Sequence, residues 1–190
     1  MRSFMAFLLL SFSAFASFEL FENLPVQGIL REGAELKAQG GQDGSGALRL
    51  NGMAKTAQYA FSYRWEKVEP GRQYGISFAT HAADNFHGTA MFVVNFADDN
   101  WKFDAGRVLR KSLNCSKGRW IHQQFIFTVP EGFTKCEATV RLDKVPKDSY
   151  LLLDNMRVAD VSNDKGFFKA RFLDTIFDNW TFLGQQHFEN

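Results

Sequence analysis

Residues Ala57–Val68 alternate between two faces without interruption. Tyr59, Phe61, Tyr63 and Trp65 share one side; Ala60, Ser62, Arg64 and Glu66 share the other. A period of two marks a strand, and four aromatic rings on one side assign that side to a core. Pro70-Gly71 follows as a tight turn, with proline presetting φ and glycine supplying a positive φ. Beyond it Tyr74, Ile76 and Phe78 again share one face.

The same pattern recurs along the chain. Phe18–Phe21 reads as a short first strand, and the flexible turn Gly40–Gly46 leads into Ala47–Leu50. Gly88–Ala97 is apolar on both faces, like a central strand, and Asp98-Asp99-Asn100 ends it with turn chemistry. Trp101–Leu109 carries a weaker strand signal. Gln123–Val129 sets Phe125, Phe127 and Val129 against Gln124 and Thr128. Glu137–Asp143 sets Ala138, Val140 and Leu142 against Thr139, Arg141 and Asp143, and Tyr150–Val158 is the last strand. Strands spaced this way between Gly, Asp and Asn turns predict an all-β sandwich.

The two ends differ from this middle. Met1–Ala16 has the layout of a secretory signal: Arg2, the apolar run Met5–Phe12, then the small-x-small site Ala14-Phe15-Ala16. The apolar run is too short to span a bilayer. The expected protein therefore begins at Ser17 and works outside the cytoplasm, secreted or periplasmic. At the other end Phe168, Phe172, Ile176, Trp180 and Leu183 lie three or four apart, with Lys169, Arg171, Asp174, Asp178 and Asn179 on the other face. This spacing predicts an amphipathic helix over 164–184. Such a helix packs on its own sandwich or docks a protein partner; acids in its polar face argue against a membrane surface. The expected division is 1–16 signal, 17–160 sandwich, 161–190 helical tail.

Composition excludes some functions. A net charge of +1 without a basic run is not that of a nucleic-acid binder. Cys115 and Cys136 are the only cysteines. In an oxidising compartment they are expected to pair, a bridge worth about 3 kcal/mol for a loop of this length, the alternative being two separate buried thiols. Catalytic motifs are missing: no Gly-x-Ser-x-Gly, no His-Glu-x-x-His and no phosphate-binding glycine loop. His81, His87, His122 and His187 are scattered, and Asp98-Asp99 reads as a turn rather than a glycosidase pair.

Four signals stand in a fixed order after an early Phe21-Glu22-Asn23: Val68–Phe78 as turn and strand, Gly118-Arg119-Trp120, the strand Gln123–Val129 closed by Pro130, and Leu151-Leu152-Leu153-Asp154-Asn155. This order resembles the jelly-roll carbohydrate-binding modules attached to secreted cellulases and xylanases, within the galactose-binding-like β-sandwich group. The resemblance covers roughly residues 18–160. It implies a β-sandwich jelly roll without an active site that binds a polysaccharide or oligosaccharide on an exposed sheet face. It also implies a structural Ca²⁺ held by Glu22, Asp43 and Asp154. Trp120 matches a packing position of that family.

Sugar binding needs flat apolar surface beside hydrogen-bonding groups. Trp101 after a polar turn and Phe86-His87 in a loop are the expected aromatic and rim contacts; Asn95, Gln124 and Arg141 point away from the core by alternation. Two rival readings stand beside this one. The same sandwich without a sugar site is a protein-interaction domain, and acids converging in one groove make a small glycan-degrading enzyme.

Overall fold

The computed structural model describes residues 17–19, 28–162 and 186–187. The predicted helix at 164–184 and the predicted ligand Glu22 lie outside the described residues. Among the described residues twelve strands form two sheets. They are β1 (Ser17–Glu19), β2 (Gly28–Leu30), β3 (Ala34–Lys37), β4 (Ala47–Asn51), β5 (Gln58–Trp65), β6 (Gln73–Ala82), β7 (Thr89–Ala97), β8 (Phe103–Ser112), β9 (Ile121–Thr128), β10 (Lys135–Asp143), β11 (Tyr150–Asp160) and β12 (Gln186–His187). One sheet runs β12-β9-β6-β11-β4-β3, with β1 also paired to β11; the other runs β2-β5-β10-β7-β8. Every pairing is antiparallel except β12 with β9. The all-β sandwich expected from the alternation is the fold observed. No helix among the described residues is long and apolar enough to cross a membrane.

Between the sheets the core is aromatic. Phe61, Phe78, Phe92, Phe96 and Phe127 are each under 2% exposed. Phe92 and Phe125 stack with centroids 4.6 Å apart, joining β7 of one sheet to β9 of the other. Burying each such ring contributes roughly 2–3 kcal/mol, and seven phenylalanines of the described residues are buried in this way. Pro70-Gly71 forms the expected turn: Arg72 N donates to Glu69 O at 3.2 Å, and Gly71 has φ +76°. It carries the chain from β5 of one sheet to β6 of the other.

Two sequence expectations are corrected here. Cys115 and Cys136 are both free thiols. Cys136, second in β10, stands opposite Trp65 and Phe96, whereas Leu113, two residues before Cys115, bonds Ala90, which pairs with Leu142 near the far end of that strand. Six residues of strand put about 20 Å between these levels, far beyond the 7 Å that a disulfide tolerates between Cα atoms. Burial pushes the Cys115 thiol up to about 12 and the Cys136 thiol well above its ordinary value. The expected result is that neither alkylates at pH 8 without denaturant, and that a reducing agent leaves Tm unchanged. A Tm drop on reduction shows the pairing that the geometry forbids.

The second correction concerns Tyr59. Its register with Phe61 assigned it to the core, yet it is 45% exposed. The ladder between β5 and β10 shifts between Val140 and Arg141, so that Val140 faces Phe61 while Arg141 faces Tyr59. Ala60 is the extra residue; it turns inward, fully buried, and its carbonyl accepts Arg31 N at 3.1 Å. A bulge of one residue inverts the faces beyond it. Phe61, Tyr63 and Trp65 therefore point in, and Tyr59 points out.

Candidate functional site

The outer face of the five-stranded sheet carries a cleft of about 400 Å³, lined chiefly by Arg31, Tyr59, Asn95, Phe103, Glu137 and Thr139, with Asp104, Val108 and Arg110 on its wall. Its floor comes from β5, β7 and β10. Its wall comes from an arch in β8. Between the pairs Asn95↔Val108 and Ala97↔Phe103, the run Asp104–Arg107 of β8 stands opposite Phe96 alone, so the strand bows outward. Asp104 Oδ1 accepts Gly106 N at 2.8 Å and closes the arch. This arch hides β8 from periodicity: seven of its ten residues are exposed and no alternation survives.

The floor is a polar row. Glu137 is 5% exposed, and its Oε1 accepts Arg31 at 2.7 Å and lies 3.6 Å from Arg64 Nε. Arg31 Nε also donates to Ser62 Oγ at 3.0 Å, and Ser62 Oγ lies 3.1 Å from Thr139 Oγ1. A buried carboxylate needs such partners to offset its lost hydration. The two exposed rings, Tyr59 and Phe103 (42% exposed), flank this row. Arg141 donates to Asp143 through two bonds of 2.8 Å, and its guanidinium lies 5.9 Å from the Tyr59 ring centroid. Those bonds to Asp143 raise the Arg141 pKa further above its ordinary value.

The expected sugar-contacting residues divide between places. Asn95 lines the cleft and Arg141 lies beside it, both on the outer face. His87 is exposed in the loop before β7. Gln124 faces outward from the other sheet, where Ser77 is its neighbour, so it does not converge with the rest. Phe86 is corrected: it is 7% exposed and belongs to the core. Its amide donates to Ala83 O at 2.9 Å, a turn that tucks the ring inward.

Trp101 is half-buried with φ +59°, held by the carboxylate of Asp98, whose Oδ1 accepts Asn100 N at 2.9 Å and Lys102 N at 3.0 Å. These backbone bonds to Lys102 and Asn100 hold the Asp98 carboxyl below its usual range. Arg64 and Lys135 lie over the Trp101 ring at 4.8 and 5.1 Å, and Phe103 is 5.9 Å away. Trp101 thus holds two cations and braces Phe103, and the open rings are its neighbours'. Trp120, half-buried, packs 5.4 Å from His81.

The turn Gly40–Gly46 reaches the outer face of the other sheet. Asp154 is fully buried; its Oδ2 accepts Gln42 N at 2.8 Å and its Oδ1 accepts Asn155 N at 2.7 Å. Gln42 Oε1 lies 2.8 Å from His122 Nε2 and accepts Asn155 Nδ2 at 3.3 Å. Gly41 is required there, since a Cβ would come within 2.8 Å of Asp154 Oδ2. Calcium takes six to eight oxygens. Asp154 is buried beside the turn with each oxygen accepting one backbone amide, whereas Asp43 is exposed and its Oδ1 accepts Ser45 N at 3.0 Å; its hydrogen bonds to Ser45 lower the Asp43 pKa. Among the described residues no cluster of three metal-ligating side chains forms.

No protein-family model matches the chain, and no curated protein matches it either. Solved structures do. The xylan-binding domain, a family 22 carbohydrate-binding module, of Xyn10C from Paenibacillus barcinonensis superimposes with a TM-score of 0.59 at 16% identity, over 79% of this chain and 98% of that one. The family 22 and catalytic modules of a Clostridium thermocellum endo-1,4-β-xylanase, complexed with xylohexaose, give 0.59 at 13% identity over 75% of this chain and 28% of that one. A second family 22 module of that organism's xylanase, in which residues of the cleft have a role in ligand binding, gives 0.56 at 17% identity over 79% and 96%. At such identities the likeness is one of architecture: this chain has the jelly-roll β-sandwich fold of the carbohydrate-binding modules.

Proposed function

We propose that the protein is a secreted, non-catalytic carbohydrate-binding module that seats a polysaccharide in the cleft on its five-stranded sheet. One observation carries this reading: two exposed rings, Tyr59 and Phe103, flank a row of hydrogen-bonding groups in a single cleft of about 400 Å³. Rings of this kind stack on the C–H face of a pyranose. Asn95 and Arg31 read its hydroxyls. A cleft of this size suits a few sugar units, within the usual range for ligand sites. Secretion is supported by the signal-like layout of residues 1–16. Calcium enters as a structural ion beside the Gly40–Gly46 turn, supported by the buried Asp154 carboxylate.

Asp104 and Glu137 share the cleft, which brings the hydrolase alternative into view. A glycosidase needs one acid free to give a proton and one free to attack or activate water. Glu137 is tied to Arg31 and faces Arg64, and Asp104 is tied to Gly106 N. Both are occupied in building the cleft, which favours binding over cleavage.

The test is native affinity electrophoresis through gels containing xylan, β-glucan, mannan or pectin, with reducing ends assayed alongside. Retardation by one polymer without new reducing ends is the expected outcome. EDTA is expected to lower Tm while leaving retardation by the same polymer at 4 °C. No retardation across the panel overturns the reading in favour of a protein-interaction sandwich. New reducing ends overturn it in favour of a hydrolase.

A further inference from the structure

The charges of the cleft are not all paired. Arg31 and Arg64 both serve Glu137, at 2.7 and 3.6 Å. Arg64 is further engaged over the Trp101 ring, and Asp104 is held by the Gly106 amide. Arg110 is different. It stands on the β8 wall opposite Val93, it is exposed, and its side chain makes no hydrogen bond, ion pair or ring contact with any described residue. The cleft lining holds two cations, Arg31 and Arg110, and two carboxylates, Asp104 and Glu137; Arg31 is paired with Glu137, and the Arg110 guanidinium is left without a counter-charge in contact. An unpaired guanidinium beside two open rings is matched to a pyranose that carries its own carboxylate. The planar fork of arginine binds a carboxylate through two parallel bonds, a geometry that a hydroxyl cannot return.

Resting on the carbohydrate-binding reading above, we propose that the cleft selects uronic-acid-containing glycans, with Arg110 as the residue that reads the sugar carboxylate. Tyr59 and Phe103 hold the ring, Asn95 and Arg31 take hydroxyls, and Arg110 closes on the acid. The neutral part of the affinity comes from the first four residues. The preference for acidic over neutral sugar comes from the fifth.

Titration calorimetry on the full chain with matched pairs tests this. The probes are cellohexaose against its C6-oxidised cellouronic counterpart, and xylotetraose against xylotetraose bearing one glucuronic acid branch. At low salt the acidic member of at least one pair binds about tenfold tighter, the yield of a single charge-assisted contact. The advantage shrinks in 0.5 M NaCl, since the screening length falls to about 4 Å at that ionic strength. Arg110→Gln removes the preference, bringing the acidic member of the pair to the affinity of the neutral one, and leaves Tm unchanged. Arg107→Gln, on the same arch but outside the cleft lining, keeps the preference. Equal affinity for both members of each pair overturns the uronate assignment while the glycan reading stands. A preference that survives Arg110→Gln overturns the role of Arg110. Binding of neither member overturns both readings together.

Discussion

Tyr59→Ala is expected to weaken polysaccharide binding by about 30-fold while leaving Tm within a degree or two. Truncating an aromatic anchor at the centre of a binding surface commonly costs about 2 kcal/mol, which is that factor in Kd. Tyr59 is 45% exposed and contributes nothing to the aromatic core, so its loss falls under the small cost of a surface change. The contact it does make, with the Arg141 guanidinium at 5.9 Å, is at the limit of a cation–π interaction. Arg141 keeps its two bonds to Asp143 without the ring. Titration of the variant against the polymer identified by electrophoresis, beside a thermal melt, checks the split. Unchanged affinity removes Tyr59 from the site; a large fall in Tm means the ring supports the fold instead.

This same residue shows what could be read from the chain. Period-two alternation located β5 and assigned Phe61, Tyr63 and Trp65 to the core, because each inward step of a strand repeats the last. It misplaced Tyr59, because Ala60 is an extra residue and nothing in Tyr-Ala-Phe marks a bulge. Asn95 and Arg141 were legible as outward residues by the same alternation, and Glu137 shares their parity with Thr139. The wall was not legible. Phe103, Asp104 and Arg110 sit on β8, where the arch breaks the period and the strand edge is open to solvent, so no hydrophobic face is there to be seen. The cysteines failed for another reason. Compartment chemistry predicts pairing but is silent on distance, and here β10 itself separates the two sulfur atoms.

Glu137→Ala is expected to lower stability by about 2 kcal/mol, a fall of roughly 4–8 °C in Tm for a chain of this size. Its carboxylate is 6% exposed and is the shared acceptor for Arg31 and Arg64. Removing it leaves the guanidiniums of Arg31 and Arg64 without their shared counter-charge, and their mutual repulsion pushes them apart. Breaking a fully buried pair costs 3–5 kcal/mol. Both arginine side chains here are about one-third exposed, at 37% and 35%, so water recovers part of that loss. Glu137→Gln separates charge from shape: the amide oxygen still accepts from Arg31, so about half of the stability returns. Binding behaves otherwise. Arg31 lines the cleft, and without Glu137 it swings from its bond to Ser62 Oγ, so affinity falls in the alanine variant by more than the loss of fold accounts for. The Arg31→Ala, Glu137→Ala double variant closes the cycle. If Glu137 acts on binding by positioning Arg31, the double variant binds no worse than Arg31→Ala alone; additive losses mean that Glu137 meets the sugar itself.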